Sequence, residues 1–382
     1  MKTIILKHMK NIVRELSVGL FIVCLPLVCP AESSAAAVKK HHRPPNVKIA
    51  DEPKLENPQS FSFILFGDPQ SYIKFDFNQP LFEYMTAWAA AQKKHLNVKT
   101  VLCTGDLVEQ NDNIVNGGQI YAGQNCGNQP STLQWKSVSR AFERLDNVYP
   151  YILSTGNHDY GYDSSEVRRT RFTEFFDVAR NHSQWGEHLV ASFPNGEGRA
   201  SLENAAYAFI CGNWKLLVIS IEFTPRDEAL QWAKSVCDRK EYKDFKVVIL
   251  THSILDEGGN FFKDKYKMTL NNGGDIYEKL LSKCPNIKLA ICGHTGDTKT
   301  MASRRTETAP DGHKVEIFMF NPQAISGWDG NGGDGWLRIL EFHPDGKTLS
   351  VRTFSPLFAF SQKTQHLSWE NSPEHKFKLV LE

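Results

Sequence analysis

The chain of 382 residues predicts an α/β domain with mixed sheets. Three observations point there. Apolar runs of strand type alternate with helical patterns. Five of those runs end in a small cluster of Gly, Asp, Asn or His. Two further apolar segments are interrupted by hairpin turn residues. The composition, 41% hydrophobic and 23% charged, supplies a large core. Lys+Arg 44 against Asp+Glu 43 is a balance that calls for neither nucleic acid nor an anionic membrane as partner.

The N-terminal residues stand apart. Lys2, Lys7, Lys10 and Arg14 lead into the apolar "LSVGLFIVCLPLV" (Leu16–Val28), and small residues follow in "CPAESSAAAVKK". This predicts a secretory signal over residues 1–31 and a periplasmic or extracellular protein. A retained anchor is the competing reading, opposed by Pro26 and by a run too short to span a bilayer. Residues 32–60, rich in Lys, His, Pro and Asn, predict a linker. The domain is expected over 61–360, with a C-terminal extension over 361–382. Cys103 and Cys292 lie inside strand runs and read as buried thiols. Any pairing among Cys126, Cys211, Cys237 and Cys284 stays open, and no CxxC suggests a thiolate zinc site.

Within the domain, "FSFILF" (Phe61–Phe66) is a strand closed by "GDPQ". A helix over Leu81–His95 precedes the strand in "KTVLCTGD" (Lys99–Asp106). Asn111–Pro130 is a polar loop with four Gly, of a length that is often functional. The next helix, Ser131–Asp146, opens on "ST" as its N-cap and leads to the strand in "YPYILSTGNHD" (Tyr149–Asp159). Tyr160–Arg199 reads as an irregular insert. "AYAFICGNWKLLVIS" is a hairpin turning at Gly212-Asn213. A helix over Arg226–Arg239, the strand "FKVVILTHS" (Phe245–Ser253), a helix over Ile276–Ser282 and the strand "IKLAICGHTGD" (Ile287–Asp297) follow. A last hairpin, "GWLRILEFHPDGKTLSVRTFS", turns at Pro344-Asp345-Gly346, and the late strands are expected in a second sheet.

Asp68, Asp106, Asn157, His252 and His294 each close one of the apolar runs. Binding groups in α/β sheets gather beyond the strand carboxyl ends, so five such residues can converge. Carboxylate and amide oxygens with imidazoles suit Mn, Fe or Zn. Singly, each has a plain structural reading: "GD" is a common turn, and a His after a strand often fills a core. The ordered set carries the weight, because every member sits in its required strand-end context.

In that order, "GDPQ", "GDLVEQ", "GNHDYG", "THS" and "GH" resemble the calcineurin-like metallophosphoesterase superfamily. "GGDGWLRILEF" and "TFSP" are similar to its secreted bacterial members, and the resemblance runs from Phe61 to Pro356. It implies a four-layer α/β fold, two mixed β-sheets packed face to face and flanked by helices. It implies two divalent ions (Mn, Fe, Zn or Mg) and hydrolysis of a phosphate mono- or diester by attack of metal-bound water. Asp106 would bridge the ions, and Asn157, His252 and His294 would complete one site. The other site calls for Asp68, a His two residues later and a His two residues after His294; this chain has Gln70 and Gly296 there. Gln70 offers a neutral oxygen, so Asp68, Gln70, Asp106 and waters suit Mg or Mn better than Zn. His158 is placed by the resemblance to protonate the leaving oxygen or bind the phosphoryl group. Glu109 is the candidate carboxylate to orient it, the other readings being a solvated loop residue or a metal ligand. Asp297 reads as an extra ligand or as a turn cap.

The substrate expected is a phosphate ester, with no nucleic-acid signal and no membrane span once the signal is removed. Arg168, Arg169 and Arg171 read as a phosphate-holding cluster or as a solvated face. The aromatics of "FFDVARNHSQWGEHL" read as a substrate cover or as core, and "NGGDGW" as a phosphate cradle or a turn. A non-catalytic phosphate-ligand-binding protein on the same fold, with a degraded first metal site, is the alternative function.

Overall fold

A computed structural model describes residues 52–112, 120–121, 124–162 and 164–382. The expected signal at 1–31 and most of the expected linker lie outside the described residues. Among the described residues, no helix is long and apolar enough to cross a membrane.

Along the chain, β1 (Phe61–Phe66) leads through α1 (Gln70–Ile73) and α2 (Gln79–Ala91) to β2 (Val98–Cys103). A short hairpin, β3 (Ile120–Tyr121) with β4 (Gln124–Asn125), precedes α3 (Ser131–Glu143) and β5 (Tyr151–Leu153). The region expected as an irregular insert holds α4 (Phe172–Phe175), α5 (His182–His188) and β6 (Leu189–Phe193). The hairpin β7 (Asn204–Cys211) and β8 (Trp214–Ser220) follows, then α6 (Asp227–Cys237), β9 (Lys246–Leu250), α7 (Gly273–Lys279) and β10 (Ile287–Cys292). The chain ends with β11 (Ala302–Thr308), β12 (Lys314–Phe320), β13 (Leu337–Phe342), β14 (Thr348–Phe354), α8 (Pro356–Phe360), β15 (Trp369–Glu370) and β16 (Lys376–Val380).

These strands form two mixed sheets. One runs β15-β14-β13-β1-β2-β5, with β16 also on β14; the other runs β11-β12-β10-β9-β8-β7-β6. The late hairpin was expected in a second sheet. Instead β13 pairs antiparallel with β1, so it returns to the first sheet. The expected extension 361–382 is likewise not an appendage, because Thr348–Arg352 of β14 pair with Lys376–Val380. The described end of the expected linker is also tied down: Glu56 and Asn57 donate backbone N–H bonds of 2.9 and 3.0 Å to the buried Glu341 carboxylate.

The sheets pack face to face through Phe63 on Phe209 and Trp214 on Phe342, at ring separations of 5.3 and 5.1 Å. On β9, Val248 and Leu250 belong to this inner core, while Val247 and Ile249 pack with Leu230, Ala233 and Val236 of α6. Both faces of the strand are covered, which is why "VVIL" (Val247–Leu250) is apolar throughout rather than alternating. On the outside of the first sheet, Phe82 of α2 and Phe142 of α3 pack edge-on to Phe66. The "FFDVARNHSQWGEHL" aromatics are core: Phe176 and Trp185 are buried against Tyr151. Ser131 is the first helical residue of α3 and not its cap; the N-cap is Pro130, whose extended backbone starts the helix without a side-chain bond.

Candidate metal centre

β1, β2 and β5 run parallel in one sheet, and β8, β9 and β10 in the other. The carboxyl ends of these strands therefore deliver Asp68, Asp106, Asn157, His252 and His294 to one edge of the molecule. The loops approach closely enough that glycine is required. A Cβ on Gly156 would stand 2.2 Å from Asp106 Oδ1, and one on Gly293 would stand 2.2 Å from Asp68 Oδ1. Asp106 and His294 themselves adopt the left-handed region, at φ 46° and 70°, a costly conformation for residues with a Cβ.

Four ligand atoms meet at His252 Nε2. It lies 3.2 Å from Asp106 Oδ2, 3.1 Å from Asn157 Oδ1 and 3.1 Å from His294 Nδ1. Each side chain is held from behind. His252 Nδ1 is 2.9 Å from the Thr104 carbonyl, which accepts its proton and leaves Nε2 for the cluster. Asn157 donates its amide to Ser164 Oγ at 3.0 Å, which turns Oδ1 inward. Asp106 Oδ1 accepts the His158 backbone N–H at 2.9 Å, leaving Oδ2 inward. His294 Nε2 points at Asp264 Oδ1, 3.2 Å away.

The electrostatics fit a cation. Burial pulls the His252 imidazolium down, but Asp106 and Asp68 outweigh it and hold its pKa up to about 10. A proton on Nε2 then sits among three acceptors, the same atoms that would surround a metal ion. Burial raises Asp106, yet His252 and His158 more than compensate and hold it below the usual carboxylate range. Two imidazoles, one carboxylate and one amide oxygen form a donor set suited to a borderline divalent ion.

Asp68 is placed differently. Thr104 Oγ1 donates to its Oδ1 at 2.6 Å and the His294 backbone N–H to its Oδ2 at 2.9 Å. Both oxygens thus hold loops in place, and burial raises the carboxyl pKa. Gln70 is buried at the start of α1, and its Oε1 has no hydrogen-bond partner among the described residues. Gln70, Asp106, Asn157, His158 and His294 share the lining of one cavity of about 240 Å³, with Tyr266 and Trp328 on its walls.

His158 lies beside the cluster. Its Nδ1 is 2.8 Å from the main-chain oxygen of Glu109 and 3.9 Å from the Glu109 carboxylate. Burial lowers the imidazole's pKa, but Glu109 and Asp106 outweigh that and leave it raised. The carbonyl of Glu109, rather than its side chain, makes the short contact with His158. The carboxylate is shared with Lys74, whose Nζ is 3.7 Å away and buried.

The sequence missed Lys74, Asp264, Ser164 and Asp159. Asp159 accepts the backbone N–H groups of Gly156, Leu107 and Val108, which locks the "GNHD" loop to the "GDLV" loop. The second Asx residue of "GNHD" was the available signal; Lys74 and Asp264 carried none. The arginine cluster does not reach the cavity. Arg168 bonds Glu222 and the carbonyls of Thr224 and Met268, Arg169 pairs with Asp112, and Arg171 pairs with Glu174. Asp297 caps its own turn through the Lys299 and Thr300 N–H groups. In "NGGDGW", the Gly335 N–H donates to Tyr72 Oη, a turn entering β13.

Residues 61–297 match the family model described as calcineurin-like phosphoesterase. Among curated proteins, uncharacterized protein YvnB of Bacillus subtilis (strain 168) is 25% identical over 344 residues, 88% of this chain and 23% of that protein. The chain therefore spans less than a quarter of that relative's length. Among solved structures, a dimetal phosphatase from Danio rerio aligns at TM-score 0.46 and 11% identity, covering 84% of this chain and 99% of that one. GAP50, the anchor in the inner membrane complex of Plasmodium, aligns at TM-score 0.44 and 13% identity, covering 85% and 89%.

Proposed function

The chain belongs to the calcineurin-like phosphoesterase family, and from that premise we propose a metal-dependent hydrolase of phosphate esters with two unequal metal positions. The observation that carries this reading is the meeting of Asp106, Asn157, His252 and His294 around one point. These four would hold one divalent ion firmly. Asp68, Gln70 and Asp106 would hold a second one weakly, since Asp68 already accepts two hydrogen bonds and Gln70 offers a single neutral oxygen. A cation here supplies Lewis acidity, water activation and charge neutralisation for the phosphoryl group.

The chain's own groups do the rest. His158 presents its ring at the cavity wall while Nδ1 is tied to the Glu109 carbonyl, so Nε2 is the atom that exchanges a proton with the leaving oxygen. Lys74 and Glu109 form a buried pair behind it that fixes the local charge. Tyr266 and Trp328 border the cavity and limit water around the ester.

The test is turnover of p-nitrophenyl phosphate and bis(p-nitrophenyl) phosphate by the purified chain with Mn²⁺ or Zn²⁺. Metal-dependent release from either supports the enzyme, and the ratio reports mono- against diester preference. Asp68's engagement favours the second reading, a non-catalytic phosphate-ligand-binding protein. No turnover with any ion, alongside phosphate binding, would select it. Secretion is part of the proposal, and N-terminal sequencing of protein recovered outside the cytoplasm tests it.

A further inference from the structure

His294 is clamped more fully than a loop histidine needs to be. Its backbone N–H donates to Asp68 Oδ2 at 2.9 Å, and its carbonyl accepts from Asn321 Nδ2 at 3.1 Å. Its ring stands against Phe262 and Phe223, with centroids 5.0 and 5.8 Å away. These contacts fix the position of the ring and leave its tautomer undetermined. A neutral imidazole carries one proton, on Nδ1 or on Nε2, and only the second form offers Nδ1 as a donor to the cluster.

Asp264 lies in the loop after β9 and is 6% exposed. Its Oδ2 accepts from Ser253 Oγ at 2.9 Å. Its Oδ1, 3.2 Å from His294 Nε2, has no other partner among the described residues. We propose that Asp264 is a positioning residue: it accepts the Nε2–H of His294 and so keeps the Nδ1 lone pair directed at the metal. Ser253 follows the ligand His252 directly in "THS", so one side-chain relay, Ser253 to Asp264 to His294, couples the loops that carry two ligands. The inference rests on the metal-holding reading of the cluster. Carboxylates in this position raise ligand basicity, and losing one typically weakens metal binding by about 10–100-fold.

The experiment is calorimetric titration of metal-stripped, full-length protein with Mn²⁺ and with Zn²⁺, in wild type, Asp264→Ala, Asp264→Asn and Ser253→Ala. The expected result is a Kd raised about 10–100-fold in Asp264→Ala. Asp264→Asn should recover most of that loss, because its amide oxygen still accepts the Nε2–H. Ser253→Ala should shift Kd less and in the same direction, and it reads the relay if Asp264→Ala fails to fold. A second readout is ¹⁵N imidazole spectroscopy of the metal-loaded forms. The His294 signal should be that of a ring protonated at Nε2 and coordinated at Nδ1 in wild type, and it should change in Asp264→Ala. Wild-type affinity in both Asp264→Ala and Ser253→Ala, with an unchanged spectrum, would overturn the role of Asp264 while leaving the metal centre standing. A wild-type protein that takes up neither ion would overturn both.

Discussion

Gln70 and His158 line the same cavity, and they make separable predictions. Replacing His158 with Ala removes the proposed proton-transfer group and none of the proposed ligand atoms. Turnover should fall about 10²–10⁴-fold, while metal content by elemental analysis stays at the wild-type level. Gln70→His restores one of the two imidazoles that the family resemblance calls for, so it should raise the second ion's occupancy at equal free Mn²⁺ or Zn²⁺. The other missing imidazole is harder to restore. Gly296 lies at φ 152°, and a Cβ there would stand 2.9 Å from the Asn321 carbonyl oxygen. At this scale Asp68, Asp106, Asn157, His252 and His294 were legible because each ends an apolar run. Asp264 and Lys74 were not. Their partners are His294 and Glu109, distant in sequence, and neither lies at a strand end.

Among elements, β16 is the clearest test of the sheet. Lys376 and Lys378 alternate with Phe377 and Leu379, the pattern of an edge strand with one apolar face. Leu381, just past it, is 1% exposed and donates its N–H to the Lys347 carbonyl at 2.9 Å. Leu381→Ala should cost about 2–5 kcal/mol in urea unfolding, and a chain ending at Phe360 should lose cooperative unfolding altogether. Stability unchanged by either would mean that residues 361–382 are an appendage after all. Helices α2, α3, α6 and α7 and most inner strands were legible from period and apolar runs, with ends shifted by a few residues: α2 spans Gln79–Ala91 against the expected Leu81–His95. The short α4 and α5 and the strands β6 and β12 were not. Sheet membership was not. Pairing of β13 with β1 joins residues such as Phe61 and Phe342, and no local pattern encodes so distant a partner.

For the whole molecule, the parallel strands of both sheets point their carboxyl ends at one edge, so fold and candidate site are one consequence of topology. The α/β character was visible in the alternation of elements, whereas the face-to-face sandwich came from the family resemblance. Global stability carries a further prediction. Burial, with Arg338 nearby, pulls His375 down to about 4. An unfolded histidine titrates at ~6.5, so between the two values the unfolded chain binds more protons than the folded one. This group's contribution is full above pH ~6.5 and is lost as pH falls toward 4, with a slope of at most about 1.4 kcal/mol per pH unit. His375→Asn should flatten the pH 7 to 5 dependence measured by urea unfolding relative to wild type. On the proposed function, Asp106, Asn157, His252 and His294 hold a divalent ion, and this can be measured. It is tested most directly by metal per chain after loading with Mn²⁺ or Zn²⁺ and desalting, in wild type and His252→Ala. Close to one retained ion is expected in wild type and none in the variant. No retained ion in wild type, or equal retention in the variant, would contradict it.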